Sequence, residues 1–97
     1  MEVITICGSM KYQEKMMQLA RMLTCFGYCV LTPVYSINKD NNMNEYCKIK
    51  FEKAHYKRIK MSNIVLICNI DGYIGENTLK EIKYAEKLKK RIIYIEE

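Results

Sequence analysis

The sequence predicts one α/β domain, spanning residues 1–97, with a four-stranded parallel sheet and three helices. The chain has 97 residues, of which 49% are hydrophobic, and this is enough for one packed core and not two. Four short runs rich in β-branched residues alternate with three longer amphipathic runs. Because strands joined by crossover helices pair in parallel, this alternation indicates a parallel sheet covered by helices on both faces.

The first part of the chain predicts a strand, a helix and a second strand. Residues 2–7 are rich in β-branched side chains and end at a Gly-Ser pair. Residues 11–26 carry apolar side chains at helical spacing, and Gly27 follows as the residue that ends the helix. Residues 28–32 form a second apolar run, which is ended by Pro33.

The middle of the chain predicts a loop, a second helix and a third strand. Residues 34–43 are rich in Ser, Asn and Asp, which is typical of a polar loop. A helix is expected from 44 to 60, and one apolar stripe on or just after it holds Cys47, Phe51, Ala54 and Met61. Residues 63–69 contain a continuous apolar run, as expected of a strand buried on both faces.

The last third predicts a Gly-rich loop, a third helix and a fourth strand. The loop covers residues 70–76 and carries two Gly and two acids. Asn77 is expected to cap a helix over 78–89. The inward-facing residues of that helix are Leu79, Ile82, Ala85 and Leu88. Residues 91–95 close the pattern as a strand.

Right-handed crossovers leave few topologies for this element order, and the strand order 2-1-3-4 is favoured. It is the order of a flavodoxin-like or Rossmann-like three-layer sandwich. In it the winding reverses between strands 1 and 3, so the loops that follow these strands separate and form a crevice. Those loops cover residues 8–10 and 70–76, and a small-molecule ligand is expected between them.

The net charge of +5 comes mainly from basic residues in segments 48–60 and 80–91. A basic face is one signature of nucleic-acid binding. Glu residues are interspersed in both segments, which favours solvated outer helix faces, and a nucleic-acid partner is not expected. The sequence has neither a 20-residue apolar run nor an N-terminal leader pattern. No membrane association is expected, and a cytoplasmic location is predicted.

The five cysteines are odd in number, and no two have CxxC spacing. They are expected to be reduced thiols that act as small hydrophobic residues. A metal site would need a second cluster of ligands beside the single histidine, and none is visible. His55 is therefore expected to be a half-exposed structural residue in mid-helix, with a site role as the alternative. No metal and no cofactor are predicted.

Two positions in the predicted crevice carry chemistry. The strand-to-helix turn Gly8-Ser9 lets a ligand approach the backbone and offers N–H groups to an anion, although simple turn formation explains it equally well. Glu81 lies in the first turn of the predicted third helix, at the edge of its apolar arc. Partial desolvation there, with nearby N–H groups that favour the ionised form, suits a nucleophile or base. An acid in a first turn also stabilises a helix without any function.

Three stretches resemble the nucleoside 2-deoxyribosyltransferase superfamily, which includes the 2-deoxynucleoside 5-phosphate N-hydrolases. They are the strand and turn at 4–10, the Pro-ended strand at 27–33, and Ile70-Asp71-Gly72 with the run at 77–85. The last of these is similar to the family pattern Asp-Gly followed by Gly-Thr-x-x-Glu-x-Gly-x-Ala. In this chain Gly75 stands at the position of a loop acid, Asn77 at a Gly, and Lys83 at a second Gly.

The resemblance implies cleavage or transfer at the N-glycosidic bond of a 2-deoxynucleoside or its 5-monophosphate. Glu81 matches the nucleophile that forms a glycosyl-enzyme ester, and Asp71 matches the acid that handles the leaving base. Glu76 is the candidate substitute for the absent loop acid. Substrate contacts are expected from seven residues: Gly8, Ser9, Met10, Gly72, Glu76, Asn77 and Thr78. A homodimer or larger homo-oligomer is also expected, with the second helix and its Tyr46, Phe51 and Tyr56 as the interface.

Two other readings stay open. The chain could be a nucleotide-binding or sensing module that keeps the cleft without catalysis. Tyr12 and Tyr73 flank the crevice, and either could stack on a base or pack as an ordinary aromatic residue.

Overall fold

The computed structural model describes residues 1–35 and 44–96. In chain order these residues form β1 (Val3–Gly8), α1 (Gln13–Cys25), β2 (Cys29–Leu31), α2 (Glu45–Met61), β3 (Ile64–Cys68), α3 (Glu76–Lys87) and β4 (Arg91–Tyr94). Two single 3-10 turns, Met10–Tyr12 and Ile70–Gly72, follow β1 and β3. Most of the predicted polar loop lies outside the described residues.

The sheet has the strand order β2-β1-β3-β4, and all three strand pairs are parallel. Thr5 in β1 pairs with Leu31 on one side and with Val65 on the other. Gly8 pairs with Cys68, so the carboxyl ends of β1 and β3 lie side by side. The predicted fold class and strand order are confirmed. The prediction succeeded because continuous apolar runs are typical of strands in a sheet that is buried on both faces.

The core is divided between the two faces of the sheet, which makes the fold a three-layer sandwich. On one face α1 places Met16 against Ile6 and Cys68. On the other face α2 and α3 pack on the sheet with the buried residues Cys7, Ile59, Val65, Ile67, Ile82 and Ala85. Alternate residues of β1 therefore face opposite layers, as the period of a strand requires.

The predicted apolar stripe of α2 is wrong. Phe51, Ala54 and Met61 are exposed in the structure, whereas His55 and Ile59 are buried against the sheet. The buried arc is narrow because the helix carries charged residues on nearly all other sides. Arg58 contributes to its docking through the backbone, since its carbonyl accepts a hydrogen bond of 2.9 Å from the buried Thr5 hydroxyl.

The predicted start of α3 is also wrong. The helix begins at Glu76 with Gly75 as its N-cap, so Asn77 lies inside the first turn and does not cap it. Thr78, Ile82 and Ala85 are the buried residues, and the predicted inward-facing Leu79 is 46% exposed. The early start places Thr78 in the first turn of the helix, where its side chain is buried.

A side-chain clamp fixes the chain after β4 to the end of β3. The buried Asn69 amide donates to the backbone carbonyl of Glu96 at 2.8 Å and accepts from the Glu96 N–H at 2.9 Å. Within residues 1–35 and 44–96, no helix has the length and apolar character needed to cross a membrane.

Candidate functional site

An open cleft of about 710 Å³ lies at the carboxyl ends of β1 and β3. This volume is within the range of small-molecule sites, about 300–1,000 Å³. Its walls come from the turn after β1, one side of α2 and the first turns of α3. Of the predicted site residues, the structure brings seven to the cleft: Gly8, Ser9, Met10, Glu76, Asn77, Thr78 and Glu81.

Gly8 borders the cleft, but packing alone explains why the position is a glycine. A Cβ added there would lie 2.9 Å from Cys68 Cβ and 2.9 Å from Met16 Sδ, which is too close for a carbon contact. The strand pairing of β1 with β3 therefore excludes a side chain at this position, whether or not a ligand approaches the backbone.

Ser9 caps a 3-10 turn and does not start an α-helix directly. Its hydroxyl accepts a hydrogen bond of 3.3 Å from the Lys11 N–H, and α1 begins only at Gln13. The backbone N–H groups beside the cleft on this side therefore belong to the turn Met10–Tyr12. Tyr73, which follows the 3-10 turn after β3, lines the cleft and packs edge-on against Tyr12 with ring centroids 6.1 Å apart.

Glu81 is largely but not fully buried at the cleft, where its side chain is 14% exposed. It lies in the second turn of α3, because the helix starts at Glu76, so it is farther from the free N–H groups than its predicted first-turn position. Burial raises the pKa of Glu81 from 4.5 to about 7, with Glu52 acting in the same direction and a hydrogen bond from Cys7 acting against it. The environment thus favours the neutral carboxyl, opposite to the predicted effect of the helix N-terminus.

His55 and Cys7 complete a buried polar group around Glu81. His55 is buried and lines the cleft, so the prediction of a half-exposed histidine is wrong. Its Nε2 lies 3.3 Å from Cys7 Sγ and 3.8 Å from Glu81 Oε1. Sequence spacing gave no signal for this group, because its members come from β1, α2 and α3.

The imidazole of His55 is held in its neutral form. Burial lowers the pKa of His55 from 6.5 to about 4, the positive charge of Arg58 adds to this effect, and a hydrogen bond to the Ile6 backbone opposes it. Arg58 Nη1 lies 3.5 Å from His55 Nδ1. Burial also raises the pKa of the Cys7 thiol, and the nearby Glu81 carboxylate adds to the rise.

Asp71 and Gly72 are not among the residues that line the cleft. Both are exposed in the 3-10 turn after β3, and Asp71 has a positive φ of 54°. Its backbone N–H donates to the Glu96 carboxylate at 3.0 Å. This turn directs the Asp71 backbone toward the C-terminal segment.

The charged side chains around the cleft are mixed. Glu45, Glu52, Glu76 and Glu81 contribute carboxyl groups, and Lys48 and Arg58 contribute cations. Lys48 is already close to a carboxylate, with its Nζ 3.6 Å from Glu45 Oε1. The part of the lining that residues 1–35 and 44–96 provide therefore has no excess of positive charge.

Comparison with protein-family models and with curated proteins gives no match. Among the solved structures that match is a protein described as a 2-desoxiribosyltransferase from Leishmania mexicana, with a TM-score of 0.72 and 14% sequence identity. The match covers 97% of this chain and 63% of that chain, so this chain spans less than two thirds of the length of its neighbour. The chain therefore has the fold of a 2-deoxyribosyltransferase.

Proposed function

We propose that the cleft binds a 2-deoxynucleoside or its 5-monophosphate and that Glu81 acts there as a nucleophile at the N-glycosidic bond. The observation that carries this proposal is a partly buried carboxyl group, that of Glu81, which lines the cleft at the carboxyl ends of the two central strands. Ligands of open α/β sheets bind at this edge. The shared fold with a deoxyribosyltransferase and the Thr78–Glu81–Ala85 spacing support the same chemistry.

The proposed reaction has two displacement steps. A Glu81 carboxylate oxygen attacks C1 of the deoxyribose, and the C–N bond breaks with its electron pair leaving on the base, which takes up a proton. This gives a glycosyl ester of Glu81. Water or a second base then attacks the same carbon and releases the carboxylate, as in retaining glycosidases. With water as the acceptor the enzyme is a hydrolase, and with a second base as the acceptor it is a transferase.

Burial gives Glu81 the two properties that this reaction needs. A desolvated carboxylate is more reactive than a hydrated one, and a pKa of about 7 leaves a substantial ionised fraction near neutral pH. The Cys7 hydrogen bond favours the ionised form. His55 carries no charge near neutral pH, because its pKa is about 4.

The residue that protonates the leaving base has two candidates. The resemblance assigns the role to Asp71, whereas the lining of the cleft favours Glu76, the first residue of α3. Asp71→Asn and Glu76→Gln separate the two. We expect Glu76→Gln to slow base release more than Asp71→Asn, and the reverse order would return the role to Asp71.

The charge balance of the cleft favours the neutral nucleoside over the monophosphate. Among the described residues that line the cleft, carboxyl groups outnumber cations, and Lys48 is beside Glu45. These carboxylates would repel a phosphate dianion unless Arg58 contacted the phosphate. We therefore expect a lower KM for a 2-deoxynucleoside than for its 5-monophosphate.

Base release from a panel of 2-deoxynucleosides and their monophosphates, followed by chromatography, tests the proposal. Glu81→Gln keeps the shape of the side chain and removes the nucleophile, so we expect at least about a thousandfold loss of activity. Glu86→Gln is the matched control, since Glu86 is an exposed residue of the same helix. Thermal melts check the fold of both variants. An active Glu81→Gln protein would contradict the nucleophile assignment.

A nucleotide-binding module without catalysis is the second candidate, and the position of Asp71 outside the cleft lining favours it. A wild-type protein that binds the nucleosides by calorimetry and releases no base would support this function instead.

A further inference from the structure

We propose that Cys7, His55 and Glu81 form a three-ligand site for Zn²⁺ at the cleft. Each residue offers one ligand atom, and all three atoms lie within 4.8 Å of one another. The site does not depend on the glycosidic chemistry proposed above.

The separations of the ligand atoms fit a tetrahedral zinc ion. Zinc bonds of about 2.0 Å to nitrogen or oxygen and about 2.3 Å to sulfur put neighbouring ligand atoms about 3.3–3.7 Å apart. His55 Nε2 lies 3.3 Å from Cys7 Sγ and 3.8 Å from Glu81 Oε1. The separation of His55 Nε2 and Glu81 Oε1 is slightly longer than this range, and no two of the three ligand atoms are more than 4.8 Å apart. Side-chain movements of this size would be needed to complete the coordination.

The donor set selects zinc over the common hard cations. One thiolate, one imidazole and one carboxylate form a mixed set that suits Zn²⁺, whereas Mg²⁺ and Ca²⁺ prefer oxygen ligands alone. Zinc sites with three protein ligands keep a fourth position open. His55 and Glu81 both line the cleft, so that fourth position faces the cleft and is open to water or a small ligand.

The protein holds the three ligands on three different elements of the core. Cys7 lies in β1, His55 in α2 and Glu81 in α3, and all three elements meet on one face of the sheet. Cys7 is a free thiol. Zinc binding displaces its proton to solvent, and the two anionic ligands then neutralise the charge of the metal.

Arg58 is expected to weaken metal binding at this site. Its guanidinium lies 3.5 Å from the other ring nitrogen of His55 and adds positive charge beside the metal. Removing that charge with Arg58→Gln should tighten zinc binding severalfold, a change that damage to the fold would not produce.

If Glu81 is the nucleophile, zinc bound to its carboxylate blocks the attack. This consequence rests on the proposed function. Zinc is then expected to inhibit base release, and a chelator is expected to restore it. Lack of base release by the metal-free protein would count against the proposed function and leave the metal site as proposed.

Titration of the chelator-treated full chain with Co²⁺, as a spectroscopic probe for Zn²⁺, tests the site directly. We expect one Co²⁺ per chain, with a thiolate charge-transfer band and the intense visible bands of tetrahedral cobalt, and displacement of Co²⁺ by Zn²⁺. Cys7→Ser should abolish the thiolate band, and His55→Gln should weaken Co²⁺ binding at least tenfold. Circular dichroism confirms that each variant is folded.

Cys25→Ser is the matched control, because Cys25 is an exposed thiol far from the cluster in sequence. It should leave the spectrum and the stoichiometry unchanged. Octahedral cobalt spectra with the wild type, or a thiolate band that survives Cys7→Ser and disappears in Cys25→Ser, would overturn the proposal.

Discussion

Glu81 and His55 lie 3.8 Å apart at the inner wall of the cleft, and desolvation moves their pKa values in opposite directions. Each group is pushed toward its neutral form, because the interior penalises charge. Two buried polar side chains can thus sit together without a net charge. The pH dependence of the free energy of unfolding therefore reports on the environment of Glu81 and His55.

The sign of each contribution follows from proton binding. His55 has a folded pKa of about 4 against 6.5 unfolded, so the unfolded chain binds more protons between these values and the free energy of unfolding rises with pH there. Glu81 has a folded pKa of about 7 against 4.5 unfolded, so the free energy of unfolding falls with rising pH across that window. The two contributions offset each other between pH 4.5 and 6.5.

We expect Glu81→Gln to remove the Glu81 contribution to this pH dependence and to leave the contribution of His55. The free energy of unfolding of this variant should rise with pH between about 4 and 6.5, whereas that of the wild type should change less. Above about pH 7 the variant should gain stability relative to the wild type, because no carboxyl group is forced to ionise in the core. Urea denaturation across this range, with a chelator present, measures both effects.

Among the residues that the structure describes, the other charged or titratable groups that act on the pair include Cys7 on β1 and Glu52, Tyr56 and Arg58 on α2. Glu86→Gln on the exposed face of α3 is the control, and its pH profile should match that of the wild type. Parallel profiles for Glu81→Gln and the wild type would show that the carboxyl group is not desolvated.

At the scale of the secondary-structure elements, the end of β1 is the most tightly constrained point of the cleft. Gly8 pairs with Cys68 of β3 and faces Met16 of α1. Three elements meet here, and the absence of a side chain lets them approach. The same contact brings the turn after β1 next to α3.

Gly8→Ala is expected to lower the free energy of unfolding by about 1–3 kcal/mol, because the new Cβ overpacks the contact with Cys68. Urea denaturation measures this loss. Gly75→Ser is the matched control: a Cβ at Gly75 has no contact under 3.6 Å, and Ser is at least as good an N-cap for α3. Its stability should equal or slightly exceed that of the wild type. Equal losses in the two variants would contradict the packing argument.

At the scale of the whole molecule, α2 exposes several large apolar side chains. Tyr46 is 67% exposed, Ile49 50% and Phe51 41%, and the last two also line the cleft. Tyr56, the third predicted interface residue, instead packs within the chain, with its ring centroid 5.0 Å from that of Tyr84. The sheet also ends in two edge strands, β2 and β4.

We expect the chain to form a homodimer or larger assembly through α2, because exposed apolar side chains favour association. Ile49→Glu should dissociate the assembly, and Lys87→Glu, at an exposed position of α3, should not. Light scattering at micromolar concentration measures the mass. A monomeric wild type would contradict the prediction.

The sequence by itself determined the fold class, the strand order and the edge of the sheet that carries the cleft. Those features depend on local signals: apolar runs for the buried strands, helical spacing for α1, and the Gly-Ser pair and Asp-Gly pair after the two central strands. Right-handed crossovers then restrict the topology. The match with a deoxyribosyltransferase structure bears out the predicted resemblance at the level of the fold.

Only the tertiary structure decided which polar groups meet at the cleft. Cys7, His55 and Glu81 are brought together by the packing of α2 and α3 on β1, and no pattern along the chain encodes that contact. The buried arc of α2 and the first residue of α3 were mispredicted for the same reason, since helix rotation and helix start depend on the neighbouring layer as well as on the local sequence. Burial is a property of the assembled core, and it reversed the expected effect on the Glu81 carboxyl.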